Sequence, residues 1–92
     1  MNISIIIPWY GAISDLITTI ESINTSGLYV MEIIIIDDNG EDFQSNLSNP
    51  ENLVWIKNQC NLGAAESRNI GAVEAKGEIL LFLDAGDELL RG

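Results

Sequence analysis

The chain alternates short apolar runs with amphipathic stretches. Residues 3–7, 31–36, 53–57 and 79–83 are rich in isoleucine, leucine and valine and are too short for buried helices, so they read as four strands. Ile33-Ile34-Ile35-Ile36 and Ile79-Leu80-Leu81-Phe82-Leu83 show no apolar–polar alternation, the pattern of strands buried on both faces of a parallel sheet. Pro8 is expected to close the first strand, because proline has no N–H to give a neighbour. Ile13, Leu16, Ile17, Ile20 and Ile23 then recur at the spacing of one helical stripe, which ends near Ser26-Gly27. Asp37-Asp38-Asn39-Gly40 makes a turn, residues 41–47 suit a short helix, and Asn49-Pro50 breaks the pattern. The spacing predicts a further helix over 62–76, with Asn61 as N-cap and Gly77 as C-cap.

Strands that alternate with helices imply right-handed crossovers and an α/β fold built on a parallel sheet. A Rossmann-like, doubly wound order 3-2-1-4, with helices on both faces, opens the tips of strands one, two and four onto one crevice. Those tips carry Pro8-Trp9-Tyr10, Asp37-Asp38 and Asp84-Ala85-Gly86-Asp87. Open α/β sheets bind ligands at the carboxyl ends of their strands. With several carboxylates there and no histidine in the chain, the natural companion is a hard divalent cation, Mn2+ or Mg2+, held through oxygen together with phosphates.

Composition narrows the partners. A net charge of -10, from 14 acidic and 4 basic residues, argues against nucleic acid and against an anionic membrane surface. A solvated acidic surface accounts equally well for most of the glutamates. The apolar start is far shorter than the roughly 20 residues of a spanning helix, so no direct membrane span is expected. A single cysteine, Cys60, allows no internal disulfide and suits a reducing cytoplasmic setting. Cys60 reads as a small packing residue, since no histidine could serve as its base.

Four segments, in order and at the right spacing, carry a family resemblance. They are Ser4-Ile5-Ile6-Ile7-Pro8-Trp9-Tyr10, Glu32-Ile33-Ile34-Ile35-Ile36-Asp37-Asp38-Asn39-Gly40, Asn61-Leu62-Gly63-Ala64-Ala65-Glu66-Ser67-Arg68-Asn69-Ile70-Gly71 and Ala75-Lys76-Gly77-Glu78-Ile79-Leu80-Leu81-Phe82-Leu83-Asp84. Together they resemble the amino-terminal, nucleotide-sugar-binding half of family 2 glycosyltransferases of the GT-A fold. The resemblance runs along practically the whole chain, so residues 1–92 are expected to be the donor-binding part of a longer domain.

The resemblance implies roles at matching positions. Pro8 to Tyr10 would line the nucleotide pocket, and Asp38 would read the base, commonly uracil. Arg68 would approach the diphosphate from a helix whose start holds Asn61, Gly63 and Ala64, where free N–H groups favour an anion. Asp84 matches the first carboxylate of the Asp-x-Asp metal motif, and Asp87 would supply a second oxygen, directly or through water. Where many family members have Asp-x-Asp-Asp, this chain has glycine at the second carboxylate position, Gly86. A divalent ion there would stabilise the departing nucleoside diphosphate. The family inverts the anomeric centre with a carboxylate base beyond the metal motif, so no general base is named here and the isolated chain is expected to be inactive. The acceptor, a saccharide or a lipid-linked sugar, would be met outside these residues, in a cytoplasmic protein or one attached peripherally to the inner face of the membrane.

Each assignment has a structural alternative. Tyr10 could be a loop aromatic covering the sheet edge, Asp37-Asp38 a turn former, Arg68 a surface ion pair with Glu66 or Glu74, and Asp87 a helix N-cap before Glu88. Trp9 and Trp55 read as packing residues. Two other function classes stay open: a nucleotide-sugar-binding module without chemistry, and a phospho-receiver signalling domain. The latter needs a lysine on a later strand, and none follows Asp84.

Overall fold

The computed structural model describes residues 2–38 and 52–89, so the expected helix over 41–47 lies outside the described residues. Among the described residues, four strands and two helices follow one another as β1 (Ile3–Trp9), α1 (Ile13–Thr25), β2 (Glu32–Asp37), β3 (Leu53–Lys57), α2 (Ala64–Glu74) and β4 (Ile79–Phe82). The strands form one parallel sheet in the order β3-β2-β1-β4, as the alternation of elements predicts. Ile5 pairs with Ile33 on one side of β1 and with Leu81 on the other.

Alternate residues of the central strands serve opposite helices. Ile5, Ile7 and Trp9 pack with Ile33 and Ile35 against Leu16, Ile20 and Ile23 of α1. Ile6, Ile34 and Ile36 face the other way, against Ile70 and Ala75 at the α2 layer. Helices therefore cover both faces, and each fully buried isoleucine contributes on the order of 2 kcal/mol.

Burial on both faces holds for β1 and β2 but not for the flanking strands. Leu80 and Phe82 of β4 stay about two-fifths exposed, at 38% and 42%, and Val54 of β3 is also exposed. The helices lie over the central pair, so an uninterrupted apolar run does not guarantee a covered strand at a sheet flank.

The local rules place several boundaries slightly wrong: β2 and β4 shift by one residue, to Glu32–Asp37 and Ile79–Phe82, and larger departures occur at β1 and α2. β1 continues through Pro8 to Trp9. The Ile6 carbonyl accepts from Leu83 N–H, which shows that residue 6, and with it residue 8, faces β4. Pairing with β4 stops at Phe82, so the missing N–H of Pro8 removes no ladder bond. On α1 the buried face is Leu16, Thr19, Ile20 and Ile23, with Ile17 only half-buried, so a threonine sits inside the expected apolar stripe. α2 starts after Gly63 in the N-cap position instead of Asn61, and ends with Ala75 as C-cap instead of Gly77.

The early end of α2 has a polar cause. Glu32, at the start of β2 and buried, accepts through one carboxylate oxygen from the Ser4 hydroxyl (2.6 Å) and from Lys76 N–H (2.6 Å). Gly77 N–H in turn donates to Ser4 Oγ at 2.8 Å. The chain after α2 is thus tied to the amino-terminal edge of the sheet and cannot continue the helix. Burial raises the Glu32 carboxyl, but the Lys76 N–H, the Ser4 hydroxyl, the Lys76 charge and the Gly77 N–H outweigh it and hold the group below its ordinary value. A depressed folded value means that its stabilisation is complete above the ordinary carboxylate range and fades as pH falls through the lower folded value. Thermal melting followed from pH 7 to 3 is expected to show Tm falling below about pH 4. Glu32→Gln, whose carbonyl can accept both bonds without titrating, should soften that acid limb; an unchanged limb would remove Glu32 from the explanation.

Candidate functional site

The carboxyl ends of β1, β2 and β4 meet the start of α2 around one cleft of about 180 Å³. Pro8, Trp9 and Tyr10 line it from β1, Asp38 from β2, Ala64 from α2, and Asp84 and Ala85 from the end of β4. The spatial condition posed by the strand order is therefore met, with Asp38 and Asp84 opening into a shared cavity. Its volume is below the roughly 300–1,000 Å³ of a cleft that encloses a whole small ligand, so it suits one part of a larger molecule.

Asp38 is the most constrained member. It follows β2 directly, is 3% exposed, and its own N–H donates to the Trp9 carbonyl at 2.8 Å. Its Oδ1 accepts from the Asn58 side-chain amide (2.9 Å) and Leu62 N–H (2.7 Å), and its Oδ2 from Gly63 N–H (2.9 Å). Burial alone would raise this carboxyl, but the bonds from Leu62, Asn58 and Gly63 outweigh it and lower it, so the group is ionised at neutral pH. A carboxylate offers about four acceptor positions, so Oδ2 keeps capacity for one donor from a ligand.

Asp37, its neighbour, turns away and pairs with Lys57 Nζ at 3.3 Å across the sheet. The acidic pair thus divides its labour, one member facing the cleft and the other facing β3. Tyr10 is 66% exposed at the mouth, whereas Trp9 is buried. Trp9 donates its indole N–H to the Ala12 carbonyl and packs edge-on against Trp55, with centroids 6.4 Å apart, as expected of packing residues.

Arg68 lies on α2 one turn beyond its start and donates to Asp84 Oδ1 at 2.7 Å. Both side chains are partly exposed, so water screens the pair and its contribution to stability is small. The pair brings the one arginine of α2 against the carboxylate of the β4 tip, and neither glutamate of that helix is its partner in this ion pair. Asn61 is exposed and accepts Gly63 N–H at 3.2 Å, shaping the loop without lining the cleft.

After Asp84 the chain makes a tight turn. Asp87 N–H donates to the Asp84 carbonyl (2.9 Å), and the Asp87 carboxylate accepts Asp84 N–H (3.2 Å). Gly86 holds φ at +102°, a backbone conformation that L side chains rarely adopt, so this turn has a physical reason for glycine at the position where the Asp-x-Asp resemblance calls for a carboxylate. No cluster of three or more potential metal-ligating side chains occurs among the described residues. The donor set still suits a hard cation: Asp84 offers carboxylate oxygen at the cleft wall, and magnesium-like ions are often held by one or two carboxylates with phosphates completing the shell.

Several supporting residues escaped the sequence reading. Asn58, 7% exposed, bridges Asp38 and Ser67 of α2 with one side-chain amide. Thr19 and Ser22 of α1 bond the backbone of the Asp84 turn region. A polar residue inside the α1 stripe was the visible signal for Thr19; no local pattern marks Asn58. Cys60 corrects the expectation of a packing role, for it is exposed. The loop from Asn58 to Gly63 turns its amides inward toward Asp38, which leaves the side chains between them outside.

Comparison with known proteins agrees with this geometry. The profile of Glycosyl transferase family 2 matches residues 4–92. An uncharacterized glycosyltransferase of Haemophilus influenzae is 39% identical over 88 residues, which cover 92% of this chain and 29% of that protein. UDP-Glc:alpha-D-GlcNAc-diphosphoundecaprenol beta-1,3-glucosyltransferase WfaP of Escherichia coli is 35% identical over 88 residues, covering 92% of this chain and 35% of its own length. The crystal structure of S. aureus TarS 1-349 in complex with UDP superposes with a TM-score of 0.84 at 24% identity, over 99% of this chain and 29% of that one. The chain thus spans about a third of the length of these relatives. A parallel 3-2-1-4 sheet with the acidic tips of β2 and β4 sharing one cleft, matched along nearly its whole sequence, belongs to glycosyltransferase family 2 and has its GT-A fold.

Proposed function

We propose that residues 1–92 bind the nucleoside diphosphate of a nucleotide sugar, a UDP-sugar, as the donor-binding part of a hexosyltransferase. The observation that carries this reading is the convergence of Tyr10, Asp38, Asp84 and, through its ion pair, Arg68 on one cleft at the carboxyl edge of a parallel sheet. The UDP named with the TarS structure and the UDP-Glc in the name of WfaP support a uridine donor. Transfer to an acceptor hydroxyl with inversion, on a saccharide or a lipid-linked sugar, is proposed for the wider protein, in polysaccharide biosynthesis on the cytoplasmic side. No helix among the described residues is long and apolar enough to cross a membrane.

Each residue has a defined task in this scheme. Asp38, ionised and immobile, accepts an N–H from the base, which suits the imide of uracil. Tyr10 offers its ring to the face of that base. Arg68 exchanges Asp84 for the phosphate oxygens, whose bidentate recognition suits a guanidinium. Asp38 holds the N–H groups of Leu62 and Gly63, so the N–H groups offered to the anion are those of the first turn of α2 from Ala64 onward. Asp84, with Asp87 in the same turn, would hold Mn2+ or Mg2+, which when bound neutralises the diphosphate and acts as a Lewis acid toward the leaving group. A chain of charge -10 has particular need of that cation when its ligand is itself an anion.

Calorimetric titration of UDP with and without manganese tests the proposal, and binding that requires neither nucleotide nor metal specificity would sink it. Asp84→Ala is expected to weaken manganese-dependent UDP binding by more than about tenfold, or roughly 1.4 kcal/mol, with the melting temperature unchanged. Undiminished binding would take Asp84 out of the metal role. A binding module without chemistry is the second reading, and the engagement of the Asp87 carboxylate by Asp84 N–H favours it. Turnover of a UDP-sugar by a protein that includes these residues would decide for the enzyme.

A further inference from the structure

We propose that Thr19, on the buried face of α1, is a positioning residue for Asp84, acting through the backbone of the turn that follows it. The proposal rests on the donor-site reading given above. Thr19 is fully buried, yet its hydroxyl bonds nothing within its own helix: it donates to the Asp87 carbonyl at 2.6 Å and accepts from Gly86 N–H at 2.9 Å. One hydroxyl therefore satisfies a donor and an acceptor on successive residues of the turn, which only a group able to do both can manage.

Neighbouring bonds make the contact a fixed seat. Gly86 N–H also points at the Asp15 carbonyl (3.1 Å), and one turn along α1 the Ser22 hydroxyl accepts Leu89 N–H at 2.9 Å while donating to the Thr19 carbonyl. Residues 15, 19 and 22 fall on one side of a helix by its 3.6 period. α1 thus presents a polar strip to the segment from Gly86 to Leu89, within a face whose other buried residues are apolar. Within the turn, Asp87 N–H bonds the Asp84 carbonyl and Asp84 N–H the Asp87 carboxylate, the Thr19 hydroxyl also lies 3.5 Å from the Asp84 carbonyl, and Arg68 holds the Asp84 side chain from the opposite element. Docking those residues on α1 fixes where that small ring sits relative to Arg68 and the cleft. Partners that orient a ligating group without touching the ion govern affinity through its geometry.

Thr19→Val keeps the volume and deletes both bonds, whereas Thr19→Ser keeps both bonds. On the 92-residue chain, titration of UDP with manganese is expected to show Thr19→Val weakened by about tenfold or more, and Thr19→Ser within about twofold of wild type. UDP affinity without manganese should be the same in all three proteins, a split that general loosening of the fold would not produce. Circular dichroism melts confirm that each variant is folded at the titration temperature, and Ser22→Ala, which frees Leu89 N–H and the Thr19 carbonyl but leaves both bonds of the Thr19 hydroxyl to the turn, provides a milder test in the same direction. Manganese-dependent wild-type binding that Thr19→Val leaves unchanged overturns the positioning role alone. Equal loss with and without manganese overturns it in favour of a purely structural role. Wild-type binding that ignores manganese overturns the metal reading of the site, and this proposal with it.

Discussion

Asp38→Ala is expected to abolish measurable UDP binding and to cost about 3 kcal/mol of folding stability, a large share of the margin of a small domain. The reasoning starts from three donors that converge on this one carboxylate: the Asn58 amide, Leu62 N–H and Gly63 N–H. Alanine leaves all three without their acceptor, in a region where Asn58 is buried and the backbone is already committed to the turn into α2. Hydrogen bonds to a charged group contribute roughly 1.5–3 kcal/mol, and loops that lose several of them also lose their shape. Because Gly63 sits at the N-cap of α2, the start of the helix and the cleft wall at Ala64 move with it. Asp38→Asn separates the two effects. Its carbonyl oxygen can still serve Asn58 and Leu62, but its NH2 would face Gly63 N–H, donor against donor. Urea denaturation should therefore place Asn between wild type and Ala, while UDP calorimetry should group both variants as weak. An Asp38→Ala protein with wild-type stability would show that the three bonds are replaced by water at no cost.

The second large effect concerns packing. Gly71→Val is expected to destabilise the chain by about 3 kcal/mol, and Gly71→Ala by less. Gly71 lies inside α2, where glycine is ordinarily unfavourable by roughly 0.5–1 kcal/mol relative to alanine. Its presence is explained by the sheet beneath it. A Cβ at this position would come 2.4 Å from Cγ2 of Ile6 and 3.3 Å from its Cγ1. Ile6 belongs to β1, a central strand paired on both sides, and is fully buried among Ile34 and Ile36. Neither the strand nor the helix can yield without breaking other contacts, so the strain outweighs the gain in helix propensity. Thermal or urea melts of the two variants should rank wild type above Ala and Ala above Val. An alanine variant more stable than wild type would mean that α2 can lift from the sheet freely.

The sheet order, the parallel pairing and the layering were legible because they follow from period and alternation, which the isoleucine runs display without ambiguity. The four cleft-lining candidates from strand tips, Pro8, Tyr10, Asp38 and Asp84, were legible for the same reason: strand ends in a parallel sheet share an edge. What the sequence concealed depends on contacts distant along the chain. Asn58 reaches Asp38 across 20 residues, and Thr19 reaches Asp87 across 68, and neither neighbour is implied by local chemistry. The exposure of Leu80 and Phe82 was hidden because hydrophobicity records what a strand tolerates, and only helix placement decides what is covered. The caps assigned to Asn61 and Gly77 failed because buried carboxylates claim the backbone N–H groups at both helix ends.

Those two carboxylates come from the same strand. Asp38, just past the tip of β2, holds the loop that leads into α2, and Glu32, at the foot of β2, holds the segment that leaves it. The helix is consequently fastened at both termini to a single rigid rod, with Arg68 between the fastenings. Reorientation of Arg68 from Asp84 toward an arriving anion then needs only rotations about its own side-chain bonds, which take picoseconds to nanoseconds at exposed positions. Capture of the donor should accordingly proceed without backbone rearrangement in this helix, at a rate set by encounter and screened by salt.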